Sequence, residues 1–237
     1  MPSSQRWAMV LFALAGILVL VSVYIFYFPA KTGPGTVGYG ETVELPEPRT
    51  GAGMSLNEAL LRRRSVRDFS SREVSMVDLS TILWAAQGVT SKEGFRTVPS
   101  AGALYPLEIY VATGRGVYHY NPPEHTLEAL SGDDIRAPLA AAALNQNWIR
   151  DAPNVIVITG VVERTRDKYG DRAERYMFLE AGHAAQNIYL ETTALGLGTV
   201  VVGAFYDDRV REVLGLPVGY TPIYIMPVGY RKGDEAG

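Results

Sequence analysis

Apolar positions recur at helical spacing in several places along the chain. After Ser75, residues Leu79, Ile82, Leu83 and Ala86 follow an i, i+3, i+4, i+7 pattern that Gly88 closes. Further upstream, Leu56, Ala59 and Leu60 share one face of a helix through LNEALLRRR. Both helices open on a hydroxyl followed three residues later by a carboxylate, SLNE at Ser55–Glu58 and SMVD at Ser75–Asp78. That arrangement caps the first free N–H groups of a helix. A long helix is predicted from about Arg172 to Leu195, ended by Gly196 and Gly198. SGDDIRAPLAAAALNQ is helical in composition, and DDRVREVLGL reads as a short helix with Asp207 as its N-cap.

Other stretches carry the strand signal. LEIYVAT and GVYHYN, joined by Gly-Arg-Gly, predict a hairpin, and NVIVITGVV reads as a fully buried strand. TVVVGAF and TPIYIMPVGY are two more, with one short extended piece at ETVEL, while TVPSAGALYP is a loop of small residues and prolines. The tally is about five helices and four or five strands without strict alternation. That predicts an α+β fold rather than a doubly wound parallel sheet.

One segment breaks the globular pattern. WAMVLFALAGILVLVSVYIFYF, Trp7 to Phe28, has no charge and aromatics at both ends. As a helix it would span about 33 Å, enough for a hydrocarbon core. The expectation is therefore a single-pass N-terminal transmembrane anchor behind a flank at 1–6. A Gly/Pro-rich linker at 29–53 follows, and a folded domain over 54–237. The run is longer than a signal-peptide core and ends in bulky residues, against a cleaved leader. The flanking charges lean only weakly, towards a domain outside the cytoplasm.

The remaining composition mostly excludes. The net charge of −3 argues against general nucleic-acid binding. No cysteine is present, so disulfides, thiolate metal sites and thiol nucleophiles are absent. His119, His125 and His183 are scattered, and no metal site is expected. There is no G-x-x-x-x-G-K-[ST] loop, no strand-borne G-x-G-x-x-G and no G-x-S-x-G elbow.

Against that background RRRSVRDF, Arg62–Phe69, stands out. In an extended strip Arg63, Ser65 and Arg67 share a face, with Phe69 in the same register beneath. Guanidinium forks there suit a phosphate or a delocalised anion. A solvated or salt-bridged cluster is the alternative, and the stretch alone does not choose.

Its companions add to it. RRRSVRDF, PSAGALYP, RYMFLEAGHAAQNIYLETTALGLGT, GAF and PVGYRK occur in that order. The set resembles the nitroreductase family of flavin enzymes, and within it the SagB-type dehydrogenases, whose relatives oxidise azoline rings in modified peptides. The resemblance runs from about Met54 to Lys232. It implies a nitroreductase-like α+β fold, with a mainly antiparallel sheet flanked by helices. It also implies a homodimer with FMN at the interface, and hydride transfer through flavin N5. NADH or NADPH is the donor in the general family; the substrate is a small molecule or a modified peptide.

By the same resemblance, Arg63, Arg64 and Ser65 contact the FMN phosphate and ribityl chain, and Arg67 approaches the pyrimidine edge. Pro99, Ser100, Ala101 and Gly102 line the ring and sugar side from the partner subunit. The backbone at Gly203 and Ala204 faces N5, at a position where several relatives carry an acidic residue. Arg231 and Lys232 match a basic phosphate-side contact whose spacing varies between branches. No side chain is an evident general base. By the resemblance His183 and Gln186 on the long helix lie near the dimer core or the flavin end; the alternative, and the favoured one for His183, is a helix-buried histidine with one satisfied partner. Trp84 and Trp148 read as core, and Tyr105 as either substrate-facing or a plug for its loop. The rival reading is a non-catalytic, membrane-tethered flavin-binding or scaffold protein.

Overall fold

A computed structural model describes residues 40–51 and 53–233. In chain order these form β1 (Thr42–Glu44), α1 (Leu56–Arg62), α2 (Met76–Gln87), β2 (Leu107–Thr113), β3 (Gly116–Asn121) and β4 (Thr126–Ser131). There follow α3 (Arg136–Ala142), α4 (Trp148–Asp151), β5 (Asn154–Val161), α5 (Glu163–Tyr169) and α6 (Ala173–Ala194). The last elements are β6 (Gly198–Thr199), α7 (Asp207–Leu214) and β7 (Tyr220–Gly229). The strands make one 7-stranded sheet in the order β1-β4-β3-β2-β5-β7-β6. Every strand pair in it is antiparallel. The α+β class expected from the sequence is the one found.

Two apolar layers sandwich the sheet. On one side Leu107, Ile109, Ile156 and Ile158 pack with Ile82 and Leu83 of α2 and with Met177, Ala181 and Ile188 of α6. On the other, Tyr110, Ala112, Val155 and Val157 pack with Leu139 of α3, Ile149 of α4 and Val210 of α7. A central strand covered on both faces has no polar side to show. That is why β5 reads as a continuous β-branched run.

The local signals act as predicted. Ser55 Oγ accepts from Glu58 N–H at 3.2 Å and Ser75 Oγ from Asp78 N–H at 3.1 Å. Gly88 caps α2, and β2 and β3 form a hairpin with Thr113 opposite Gly116. Other readings change. TVVVGAF contributes only Thr199 to β6 and two isolated bridges, Ser65 to Thr199 and Val202 to Ile225. Asp207 is the first helical residue of α7, with Tyr206 at its N-cap. β1 pairs with β4, and Leu45 is buried. Arg49 N–H donates to Thr81 Oγ1 at 3.0 Å and its guanidinium pairs with Asp78 at 2.8 Å. Residues assigned to the linker are thus built into the fold.

The membrane localisation expected from the sequence is corrected here. No helix among the described residues is long and apolar enough to cross a membrane. The predicted anchor at 7–28 lies outside the described residues.

Candidate functional site

The arginine strip leaves α1 and runs along the β6/β7 edge of the sheet. Arg63 N–H donates to Ala59 O and closes the helix. Then Val66 N–H donates to Thr199 O at 2.9 Å, Ser70 N–H to Tyr230 O at 2.9 Å, and Lys232 N–H to Asp68 O at 3.1 Å. Two glycines make room for it. A Cβ on Gly198 would lie 2.6–2.8 Å from Val66, and one on Gly229 would lie 2.6 Å from Pro153 and 3.3 Å from Phe69. The strip is therefore fixed by backbone bonds at the sheet edge, and its alternate side chains share one face.

Those side chains meet partners from distant parts of the chain. Ser65 Oγ lies 2.9 Å from the Tyr189 hydroxyl, which also accepts from Val201 N–H at 2.9 Å. The Arg63 guanidinium stands 5.1 Å from the Tyr189 ring centroid. Arg67 stands 5.8 Å from the ring centroid of Trp148 on α4, whose indole N–H is buried and unpartnered. Just before Trp148, Gln146 donates its side-chain amide to Ala204 O at 3.0 Å. Ser65, Arg67, the 144–148 turn and the 201–204 segment are thus stitched into one neighbourhood. Within that turn Leu144 (φ 58) and Asn145 (φ 59) are left-handed, a strained backbone of the kind that clusters at functional sites.

The neighbourhood is rich in free donors. Among the described residues, Arg63, Arg64, Arg67 and Arg231 make no ion pair, whereas Arg62 pairs with Glu58 at 2.6 Å. The exposed Gly203 and Ala204 donate no backbone hydrogen bond there either. Space at Gly203 is open, since a Cβ would meet nothing nearer than Tyr224 at 3.7 Å. Beside the strip a cleft of about 400 Å³ is lined by Arg62, Arg64, Arg231, Thr193 and Leu197, among others. Arg64 also bonds the carbonyls of Leu61 and Arg63 at the end of α1. Arg231 bridges Phe69, and Lys232 lies 3.9 Å from Asp68.

Pro99, Ser100, Ala101 and Gly102 are elsewhere. They lie ahead of β2, where a Cβ on Gly102 would meet Lys168 Nζ and the Tyr169 hydroxyl. The groups beneath this loop centre on Glu180, nine residues before Tyr189 on α6. At helical rise that is about 13 Å along the helix. Within one chain the structure brings together the strip, 203–204 and 231–232, and leaves 99–102 apart.

Sequence reasoning missed Tyr189, the 144–148 turn and Glu180. Of the two readings of His183, the buried one does not hold in the single chain, where the residue is exposed on α6 next to the exposed Leu179. Trp148 is half-buried beside Arg67 rather than only core.

Comparison with known proteins bears on the family and the fold. The nitroreductase family model matches residues 60–230. A nitroreductase-family protein of Methanocaldococcus jannaschii is 47% identical over 196 residues, covering 80% of this chain and 98% of that protein. The microcin B17-processing protein McbC of Escherichia coli is 26% identical over 132 residues, 51% of this chain and 48% of McbC, so the match spans about half of that relative. A crystal structure named as a nitroreductase from Ralstonia eutropha superposes with a TM-score of 0.75 at 32% identity, covering 83% of this chain and 93% of that one. The NADPH:FMN oxidoreductase of Vibrio harveyi, solved with NAD+, shares the fold with a TM-score of 0.58 at 22% identity, covering 75% of this chain and 69% of that one.

Proposed function

Because the chain belongs to the nitroreductase family, we propose that it is an FMN-dependent oxidoreductase transferring hydride between a donor and an acceptor. The observation that carries this reading is the neighbourhood around the strip. Unpaired guanidiniums at Arg63 and Arg67, the Ser65 hydroxyl and two undonated N–H groups at Gly203 and Ala204 converge there. That donor set fits FMN, which is anionic at one end and rich in hydrogen-bond acceptors at the other. When bound, FMN supplies a two-electron centre whose N5 takes and gives hydride.

The residues divide the task by position. Arg63, Arg64 and Ser65 would hold the phosphate and ribityl end, with Arg231 and Lys232 adding positive charge from beyond the strip. Arg67 would stand at the pyrimidine edge, where a fixed guanidinium favours the negative charge that develops on reduction. Gly203 and Ala204 would present N–H groups towards N5. Pro99–Gly102 stand apart from the strip, which supports their serving the partner subunit's flavin in a homodimer. The exposed Phe178 and Leu179 on α6 and Leu56, Leu60 and Leu61 on α1 supply apolar surface for that contact.

For the reaction, we favour NADH- or NADPH-driven reduction of a small nitro- or quinone-like acceptor. The 47% identity to a nitroreductase-family protein supports this over the azoline-oxidising reading, whose relative McbC is 26% identical. Anaerobic titration of the flavin-loaded protein separates the two. Stoichiometric bleaching by NADH or NADPH supports the first. Bleaching by an azoline peptide but by neither nicotinamide supports the second. A bound flavin reduced by no donor overturns both and favours a non-catalytic protein.

A further inference from the structure

Glu180 lies on α6 where that helix packs against α2, and it is only 2% exposed. A carboxylate there costs several kcal/mol unless it is well partnered. Its helix neighbours at the same depth are Met177 and Ala181, which fill space at no such cost. Its Oε1 accepts from Gln87 Nε2 at 3.4 Å, while its Oε2 is buried and unpartnered. The Gln87 amide is held at its other end, since its Oε1 accepts from Arg96 Nη1 at 3.1 Å.

That chain of groups ends on the 99–105 loop. Arg96 stands over the Tyr105 ring at 4.4 Å, and its N–H donates to the Tyr105 hydroxyl at 3.3 Å. Ser100 Oγ accepts from Tyr105 N–H at 2.9 Å and is near enough to Glu180 to favour its ionised form. Arg164 pairs with Glu108 and donates to Tyr105 O at 3.2 Å, and Glu108 in turn meets His119 at 2.6 Å. The loop needs holding. Gly102 (φ 65), Ala103 (φ 55) and Tyr105 (φ 47) are all left-handed, which costs a non-glycine residue about 1–2 kcal/mol.

We propose that Glu180 is a positioning residue for this loop. Ionised, it holds the Gln87 amide, and through it the Arg96 that carries Tyr105 and the Ser100 bonded to Tyr105, so that Pro99–Gly102 keep the shape that meets the flavin; protonated, it holds Gln87 more weakly and loosens that chain. This rests on the flavin-binding reading above. Burial pushes the Glu180 carboxyl up to about 7, against the opposing pull of Ser100, Gln87 and Arg96, so both forms occur near neutral pH. The charged and titratable groups around it are Arg96, Tyr105, Glu108, Arg164 and, beyond Glu108, His119; Arg96 alone of these acts on it directly.

The test is hydrogen–deuterium exchange of residues 99–105 in the full chain, corrected for intrinsic rates, together with FMN affinity by flavin fluorescence at about pH 6 and pH 8. In the wild type, loop protection and FMN affinity both rise at the higher pH. One linked proton limits the affinity change to about tenfold per pH unit. Glu180→Gln, which cannot ionise, and Ser100→Ala both abolish the pH difference. A pH difference that persists in both variants, or wild-type protection that does not change with pH, overturns the proposal. Should the wild type bind no FMN at either pH, the flavin reading fails, while loop exchange still decides the role of Glu180. Should Glu180→Gln not fold, Ser100→Ala at its half-buried site carries the comparison.

Discussion

Substituting Gly198 by alanine tests how tightly the strip is seated. The added Cβ would sit 2.6–2.8 Å from the Cβ and both methyls of Val66, where ordinary contact begins near 3.4 Å. Neither side yields cheaply. Val66 is tied by its N–H to Thr199 O at 2.9 Å, and Thr199 pairs with Val228 in the sheet. The strip must therefore retreat by roughly 0.7 Å, an overpacking that costs about 1–3 kcal/mol. Loss of the Val66 bond adds about 1 kcal/mol. Arg63, Ser65 and Arg67 move with the backbone, so FMN affinity should fall at least about tenfold, the equivalent of about 1.4 kcal/mol. Denaturant unfolding and a flavin fluorescence titration measure the two effects. Stability within about 0.5 kcal/mol of wild type, with unchanged FMN affinity, would refute the seating of the strip against Gly198.

Three further predictions use other parts of the structure. The folded pKa of Glu180 is raised from 4.5 to about 7, so the folded state holds a proton that the unfolded chain releases. Stability from this group is greatest below about pH 4.5, falls as pH rises to about 7 and is level above; Glu180→Gln should remove about 3 kcal/mol of that fall, and an unchanged pH slope in denaturant midpoints would show that another group is responsible. Arg67→Ala should lower the flavin reduction potential or lose the flavin, and an unchanged potential at full occupancy would count against its assignment to the pyrimidine edge. Gly203→Glu should fold within about 0.5 kcal/mol of wild type, since its Cβ meets only Tyr224 at 3.7 Å; a thermal melt well below wild type would show the site to be closed.

The parts of this fold written in local chemistry were legible in the sequence. Ser55 and Ser75 could be identified as caps because the capping bond spans three residues. α6 could be bounded because its glycine stop lies next to it. β4 was not legible: TLEALS becomes a strand only because β3 and β1 flank it. The short α4 and α5 carry too few residues to show a period. At the candidate site, the strip and the 203–204 backbone were singled out through the order of motifs. Tyr189 was not, since a tyrosine within a long helix says nothing of the serine it meets 124 positions away. Leu144 and Asn145 hide for a related reason. Asn favours a left-handed backbone but Leu gives no sign of one, and the pair is held here by tertiary bonds such as that from Gln146 to Ala204. The buried reading of His183 fails in the single chain because Phe178 and Leu179 make the exposed side of α6 apolar too, so an apolar helix does not mark which side is buried.

The most direct test of the central claim is the visible absorbance spectrum of the purified full chain, before and after incubation with FMN and removal of the excess. The account predicts a yellow protein with a flavin spectrum and about one FMN per chain, released as FMN on denaturation. A colourless protein that retains no added FMN would contradict it.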